Sequence, residues 1–375
     1  MLSSRTIARS TTTILKQSRT LVPTLTTTGR LLLLPQQFQT QTIRRTYATP
    51  KKGTISHFAP PPSYESNKKT ETNRLEKTLT KFWEKVSAQQ DPVSGSYHIK
   101  LDKQTIKTPL GYNLTIPKNK AALAHLLVVE WQSLPDLAIK PYLVPLTSLV
   151  SRCIDLEMVQ GKAQKQSQAG EKLEEGDEGV TVPVDEKERE MIAKIGGDLN
   201  AIKTQLLRYL DTDTLLVFAP EKDCDGELRK RQEETYRPII ESMEKYLSKF
   251  SSDGQPLKLS FLDSDKDGMR GNSQPAEVRA AALNYLNSLD IWSLVALEKA
   301  TLIGKSFLTG VSLLRMCDVD DSYDVGLEEI ATAATLETVV QTGIWGEVED
   351  THDVDKVDVR RSLAAASIVA YNHGA

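Results

Sequence analysis

Apolar and polar residues alternate over a short region in the first third of the chain. In the segment GSYHIKLDKQTIKTPLGYNLTIP, Tyr97, Ile99 and Leu101 alternate with polar residues, and the pairs DK and LG separate further short runs. Alternation with a period of two is typical of a β-strand that buries one face. The pattern therefore predicts a small β-meander, which ends at Pro117.

Beyond Pro117 the apolar residues recur mainly at helical spacing, and Leu123, Leu127 and Trp131 share one side of the first such run. The segments DTDTLLVFAP and LKLSFLDS are short and strand-like. The last third of the chain predicts helices at 275–288, 290–315, 325–341 and 353–371. This order predicts an α+β fold, with a β-rich N-terminal domain at 76–220 followed by an all-α C-terminal domain at 221–375.

Three segments have a composition typical of regions outside a folded core. Residues 1–64 contain no Asp or Glu but several spaced Arg, with many Thr and Ser, which is typical of a mitochondrial transit peptide. We expect that peptide at 1–47 and a disordered, Pro- and Lys-rich leader at 48–75. Residues near 161–187 are rich in Gly, Gln and Glu, and we expect a disordered insertion there.

Composition excludes several classes of function. The formal net charge is −3, and the chain has no basic and aromatic strand motif of an RNA-binding protein, so we expect no nucleic-acid partner. No apolar run approaches the roughly 20 residues of a membrane span. The cysteines Cys153, Cys224 and Cys317 are far apart and form no CxxC motif, which favours a reducing compartment. No nucleotide-binding or other cofactor motif is present.

A dense acidic segment near the C-terminus raises the question of a metal site. Six acids and one histidine lie between Glu347 and Asp358, including the adjacent His352 and Asp353. Such a pair could ligate a metal in a matrix hydrolase, but further histidines would be needed and the C-terminal half offers only His373. We favour a helix start, in which the acids complement the positive helix end.

Glu337 is the most unusual residue of the predicted helix at 325–341. On a continuous helix it falls within an apolar arc, aligned with Ile330 and Ala334. A carboxylate there is costly unless it is paired or reserved for a partner. The residues alone leave both alternatives open, and Lys305 is a candidate for internal pairing. On the preceding predicted helix, which is apolar almost all round, Glu298 and Lys305 align seven residues apart.

Several motifs in order carry a family resemblance. Five segments together resemble the mitochondrial assembly factors that chaperone the alpha subunit of the ATP synthase catalytic head. They are KFWEKVSAQQ, VVEWQS, LLRYLDTDTLLVFAP, LDIWSLVALEKATLIGKSFLTGVSLL and ATLETVVQTGIWGEVEDTHDVDKVDVRR. The resemblance extends from about Thr78 to Tyr371, and the long 161–187 segment is similar to that of fungal members.

The resemblance implies a non-enzymatic chaperone in the mitochondrial matrix. It would bind unassembled alpha subunit, shield its beta-facing surface, and release it as the hexamer forms. The functional glutamate of the family lies in the motif TLET, which corresponds to Glu337 here. We expect partner binding by Glu337, Trp345, Glu347, Glu349 and Asp350, and supporting roles for Trp131, Glu298 and Lys305.

Overall fold

The first folded element is a small antiparallel sheet built around one central strand. The computed structural model describes residues 81–135, 140–170, 190–193, 195–268, 270–348 and 351–371. The strands of the sheet are β1 (Val86–Gln90), β2 (Tyr97–Leu101), β3 (Gln104–Thr105) and β4 (Thr115–Ile116). All three outer strands pair with β2, and Val86 lies opposite Leu101 in the register. The predicted meander is confirmed, with Ile99 and Leu101 buried.

Helices make up most of the remaining described chain. They are α1 (Ala121–Gln132), α2 (Pro145–Gly170), α3 (Leu199–Asp211), α4 (Glu227–Ser248), α5 (Ala276–Ser288), α6 (Ile291–Gly304), α7 (Phe307–Cys317), α8 (Leu327–Ala334), α9 (Leu336–Trp345) and α10 (His352–Ala370). A parallel pair, β5 (Val217–Phe218) and β6 (Leu262–Asp263), lies among them in sequence. The predicted α+β class, with strands first and helices after, is therefore confirmed.

Helix α6 lies at the centre of the helical part. Its residues are apolar on nearly every side, and Val295, Ala296, Leu297 and Ala300 are fully buried. The helix packs against α7 and α10, and also against α2 and α3. Because α2 and α3 precede residue 220 and the others follow it, the domain boundary predicted at 220/221 falls inside one continuous hydrophobic core.

Two predicted helices are each divided in the structure. The segment 290–315 breaks after Gly304, because Lys305 adopts left-handed dihedral angles and Ser306 then caps α7 by accepting a hydrogen bond from the Thr309 N–H at 3.0 Å. The segment 325–341 breaks at Thr335, whose hydroxyl hydrogen-bonds back to the Ala331 carbonyl at 2.8 Å. After each break the next helix has a new axis, so its residues no longer continue the faces of the helix before it.

Three predicted segments extend outside the described residues. The predicted transit peptide and leader, 1–47 and 48–75, lie wholly outside them. The predicted insertion near 161–187 lies partly outside, but its first ten residues continue helix α2 to Gly170 instead of being disordered. Their Ala, Gln and Lys residues are good helix formers, which explains the longer helix. Within the described chain, no helix is long and apolar enough to cross a membrane.

Candidate partner-binding surface

Glu337 lies in the first turn of α9 and is exposed. The apolar arc predicted around it does not form, because the chain turns at Thr335 and α9 starts a new helix. Leu336 and Val340 form the buried side of α9, and Glu337 points away from them. Gln341 donates a hydrogen bond to the Glu337 carboxylate at 2.9 Å, and among the described residues no base forms a salt bridge with it. Its charge is therefore available to solvent or a partner.

A groove of about 830 Å³ runs beside Glu337. Its walls come from α9, from the start of α10, from the end of α6, and from the chain around β5. Its lining includes apolar side chains such as Val217, Ile303 and Val339, and several threonines. A groove of this size and mixed polarity can accept several side chains of another polypeptide.

The rim of the groove is predominantly acidic. Asp223, Glu337, Glu347 and Asp355 supply four carboxylates, against the two lysines Lys305 and Lys356. The groove therefore brings together Glu337, Glu347 and Lys305, three of the residues expected to bind the partner or to support its binding. Within the described chain none of these three forms a salt bridge, although opposite charges share the groove. Charges left unpaired at a rim suit recognition of a charged partner.

An exposed apolar cluster lies where α9 ends and α10 begins, and we call it the apolar corner. It consists of exposed large side chains at the end of α9, in the connecting segment, and on the first turns of α10: Ile344, Trp345, Val348, Val354 and Val357. Trp345 is 70% exposed. Large exposed side chains concentrated in a short stretch of chain indicate a contact surface for another protein. The predicted residues Glu349 and Asp350 lie outside the described residues.

His352 is used by the local backbone. Its Nδ1 atom accepts a hydrogen bond from the Val348 N–H at 3.0 Å, which leaves Nε2 to carry the proton in the neutral ring. Asp353 is exposed in the first turn of α10, where it complements the positive helix end. In the described ranges no three His, Cys, Asp or Glu side chains are grouped so as to hold a metal ion.

Glu298 forms an ion pair that the sequence did not predict. Its buried carboxylate receives two hydrogen bonds from Arg152 of α2, both at 2.7 Å. The predicted alignment of Glu298 with Lys305 does not occur, because α6 ends at Gly304 and Lys305 turns away in a left-handed conformation. Glu298 thus joins α2 to α6 inside the core, and Lys305 reaches the groove.

Trp131 lies at the junction of the sheet and helices α1 and α2. Its ring meets that of Trp83 edge-on, with centroids 5.2 Å apart, and its Nε1 donates to the Thr147 hydroxyl at 2.8 Å. Neighbouring Glu130 accepts from the backbone N–H groups of Leu146 and Thr147, at 2.7 and 3.0 Å, and so caps the start of α2. These contacts suit the supporting role expected for Trp131.

A strained turn beside α9 is one feature that the sequence pattern did not predict. Cys224 and Asp225 both have positive φ angles, of 52° and 54°, and Gly226 follows at 83°. Non-glycine residues seldom adopt this conformation. The turn contacts α9 and carries Asp223 to the groove rim. The sequence does contain a signal for this turn in the motif DCDG, because Asp and Gly residues favour turns.

Comparison with known proteins gives matches to one family. Residues 80–244 match the family model described as ATP12 chaperone protein. The Saccharomyces cerevisiae protein named Protein ATP12, mitochondrial, is 47% identical over 311 residues, which cover 82% of this chain and 88% of that protein. Protein atp12, mitochondrial, of Schizosaccharomyces pombe is 30% identical over 293 residues, which cover 78% and 82%.

A solved structure also resembles the fold. The crystal structure of Atp12 from Paracoccus denitrificans matches with a TM-score of 0.51 at 19% sequence identity, covering 78% of this chain and 98% of that chain. At this level of identity the likeness extends to the fold alone.

Proposed function

The chain belongs to the ATP12 chaperone family, and we propose that it assists assembly of the ATP synthase catalytic head in the mitochondrial matrix. In this proposal it binds the unassembled alpha subunit, shields the surface that later meets the beta subunit, and leaves when the hexamer closes. Membership of a chaperone family supports a non-enzymatic role. Both fungal relatives are named mitochondrial proteins, which supports the cellular compartment.

The observation that carries this proposal is that Glu337 and Trp345 are both exposed on the same ten-residue helix. Helix α9 presents an unpaired carboxylate at its first turn and an exposed indole at its last residue. An unassembled subunit exposes an apolar interface that aggregates unless it is covered. The apolar corner can cover part of such an interface, and the acidic groove can orient a basic side chain of the same subunit.

Release needs a contact that is specific but not very tight. Charged groups at the rim of an interface contribute mainly to orientation and rate of association, and less to net affinity. Glu337, Glu347 and Asp355 are exposed, so water can replace a partner's charge at little cost. The closing hexamer can then compete for the alpha subunit with its own larger interface.

The proposal is tested by capture of isolated alpha subunit that is diluted out of urea into buffer containing the full chain. Light scattering measures its aggregation and co-precipitation measures the complex. Because Glu337→Lys places a like charge against the expected basic residue, capture should weaken by at least about tenfold. Trp345→Ser should also weaken it. Since both side chains are exposed, the melting temperature and circular dichroism of each variant should match the wild type.

The matched control is Glu234→Lys, which reverses an exposed glutamate on α4 that does not line the groove. This variant should capture alpha subunit as the wild type does. Wild-type protein that neither binds alpha subunit nor limits its aggregation would refute the proposed function. Loss of folding in Glu337→Lys would show that the glutamate is structural.

A further inference from the structure

Lys305 occupies a backbone position that suits glycine. It caps the C-terminus of α6 with φ of 52° and ψ of 29°, in the left-handed region. Helices often end in this conformation, and glycine is the residue usually found there because it has no Cβ to clash. A lysine in the same position is strained by its own Cβ. The chain therefore has a long cationic side chain at a position where glycine would have no backbone strain.

The turn itself does not depend on the lysine side chain. The backbone N–H of Lys305 donates to the Thr301 carbonyl, and its own carbonyl accepts from the Thr214 N–H at 3.4 Å. The preceding Gly304 has no room for a side chain, because an added Cβ would lie 2.8 Å from Cγ2 of Thr309. Packing and backbone hydrogen bonds thus set the turn, and they would act equally on a glycine at 305.

The Lys305 side chain is exposed and lines the same groove as Glu337. No carboxylate of the described chain forms a salt bridge with it, even though four line the groove rim. It is also not engaged in any cation–π contact with a described aromatic ring. A strained backbone that presents an unpaired charge into a binding groove points to a function in binding.

We propose that Lys305 is a second charged contact for the alpha subunit, which is the client of this chaperone. Lys305 binds a carboxylate of the client while Glu337 binds a basic residue. This inference rests on the proposed function, because it names the acidic group that the client must carry. The occupant is one segment of the alpha subunit that carries an acid and a base, since the groove offers charges of both signs on different walls. The groove volume of about 830 Å³ has room for both side chains.

The charge of the rim argues against a small free anion as the occupant. Four carboxylates face two lysines, so a phosphate or another multiply charged anion would meet net repulsion. A carboxylate on a polypeptide differs, because neighbouring basic groups on the same segment can offset the repulsion. The client must therefore bring its acid together with a cation.

The sharpest test is Lys305→Gly, because strain and binding predict opposite changes. Removing the Cβ relieves the left-handed strain, so the melting temperature should rise by about 1–2 °C. Removing the ammonium deletes the charge pair, so the dissociation constant for isolated alpha subunit should rise by about two- to fivefold. A variant that is more stable yet binds less well cannot be explained by misfolding.

Two matched variants complete the experiment. Lys305→Arg keeps the positive charge and should retain most of the binding. Lys299→Ala removes a partly buried lysine of α6 that lies outside the groove, and it should leave the dissociation constant unchanged. Titration with inorganic phosphate tests the alternative occupant, and competition between phosphate and alpha subunit at Lys305 would overturn the inference.

The outcomes separate this inference from the function itself. If wild-type protein captures alpha subunit and Lys305→Gly captures it equally well, Lys305 has no part in binding and the inference fails alone. If wild-type protein captures no alpha subunit, the proposed function fails first. A fall in melting temperature for Lys305→Gly would refute the premise that the lysine is held there against its conformational preference.

Discussion

The guanidinium of Arg152 donates two hydrogen bonds to the carboxylate of Glu298, from Nε to Oε2 and from Nη2 to Oε1, both at 2.7 Å. Arg152 also donates to the Ile195 carbonyl from Nη1. The pair links α2 to α6 across 146 residues of sequence. Glu298 is buried, and the Arg152 side chain keeps 24% of its exposure.

Replacing Glu298 with Gln removes the charge while keeping the size of the side chain. The Arg152 charge then loses its partner in a largely buried site, which destabilises the fold. We expect the free energy of unfolding to fall by roughly 2 kcal/mol, below the value for a fully buried pair because Arg152 keeps some solvent. Urea-induced unfolding of the two proteins measures the difference.

The comparison variant is Glu227→Gln, which breaks the exposed pair with Arg231 on α4, where both side chains are about half exposed. Exposed pairs of this kind contribute little, so the change should be much smaller than the change for Glu298→Gln. Equal effects of the two substitutions would mean that burial does not govern the Arg152–Glu298 pair.

Gly310 lies where α7 crosses α6 at close range. A Cβ built on it would clash with the Thr301 hydroxyl and would lie 2.9 Å from the Leu297 carbonyl oxygen. Backbone cannot yield as a flexible side chain can. Gly310→Ala should therefore lower the free energy of unfolding by about 2 kcal/mol, despite the better helix propensity of alanine. Thermal and urea unfolding both report this change.

Gly161 on α2 provides the opposite case. Nothing lies within 4 Å of a Cβ added there. Gly161→Ala should gain stability, by up to about 1 kcal/mol, because only the helix preference changes. If both alanines stabilised the protein, the close approach of α6 and α7 at Gly310 would be disproved.

The order of elements could be predicted from the sequence because it depends on local periodicity. Alternation at Tyr97, Ile99 and Leu101 indicated the sheet, and the nearly unbroken apolar run of α6 indicated its central place. The breaks at Lys305 and Thr335 could not be predicted in the same way. Each depends on a single residue's backbone angles and not on periodicity, although Gly304 and Ser306 beside the first break are residue types found at helix ends.

Those two breaks also decide the geometry of the candidate site. Unbroken helices would place Glu337 among apolar residues and would align Lys305 with Glu298 on one face. Both expectations are wrong, because each helix is divided. The true partner of Glu298 is Arg152, which no local pattern could identify because it comes from a distant helix. Several motifs taken in order, including the one around Glu337, nevertheless indicated the family, which the fungal relatives confirm.

Asp213 follows α3 in the chain, and its fully buried carboxylate contacts the start of α7. Its Oδ1 accepts from the Leu215 N–H and its Oδ2 from the Leu308 N–H, both at 2.9 Å. Burial raises the pKa of this carboxyl from 3.8 to about 6, although the hydrogen bonds with Ser306, Leu308 and Leu215 oppose the rise. Between those two pH values the folded protein binds a proton that the unfolded chain has lost.

Because the folded state holds that proton more tightly, the contribution of Asp213 to stability falls as the pH rises from about 4 to about 6. Asp213→Asn cannot titrate, and it loses hydrogen bonds at every pH because an amide oxygen accepts fewer N–H bonds than a carboxylate. The excess stability of the wild type over this variant should shrink by up to about 3 kcal/mol across that interval. Urea unfolding at a series of pH values measures it, and taking the difference cancels the carboxylates common to both proteins. Parallel pH profiles, or an excess that grows with pH, would show that burial does not control the ionisation of Asp213.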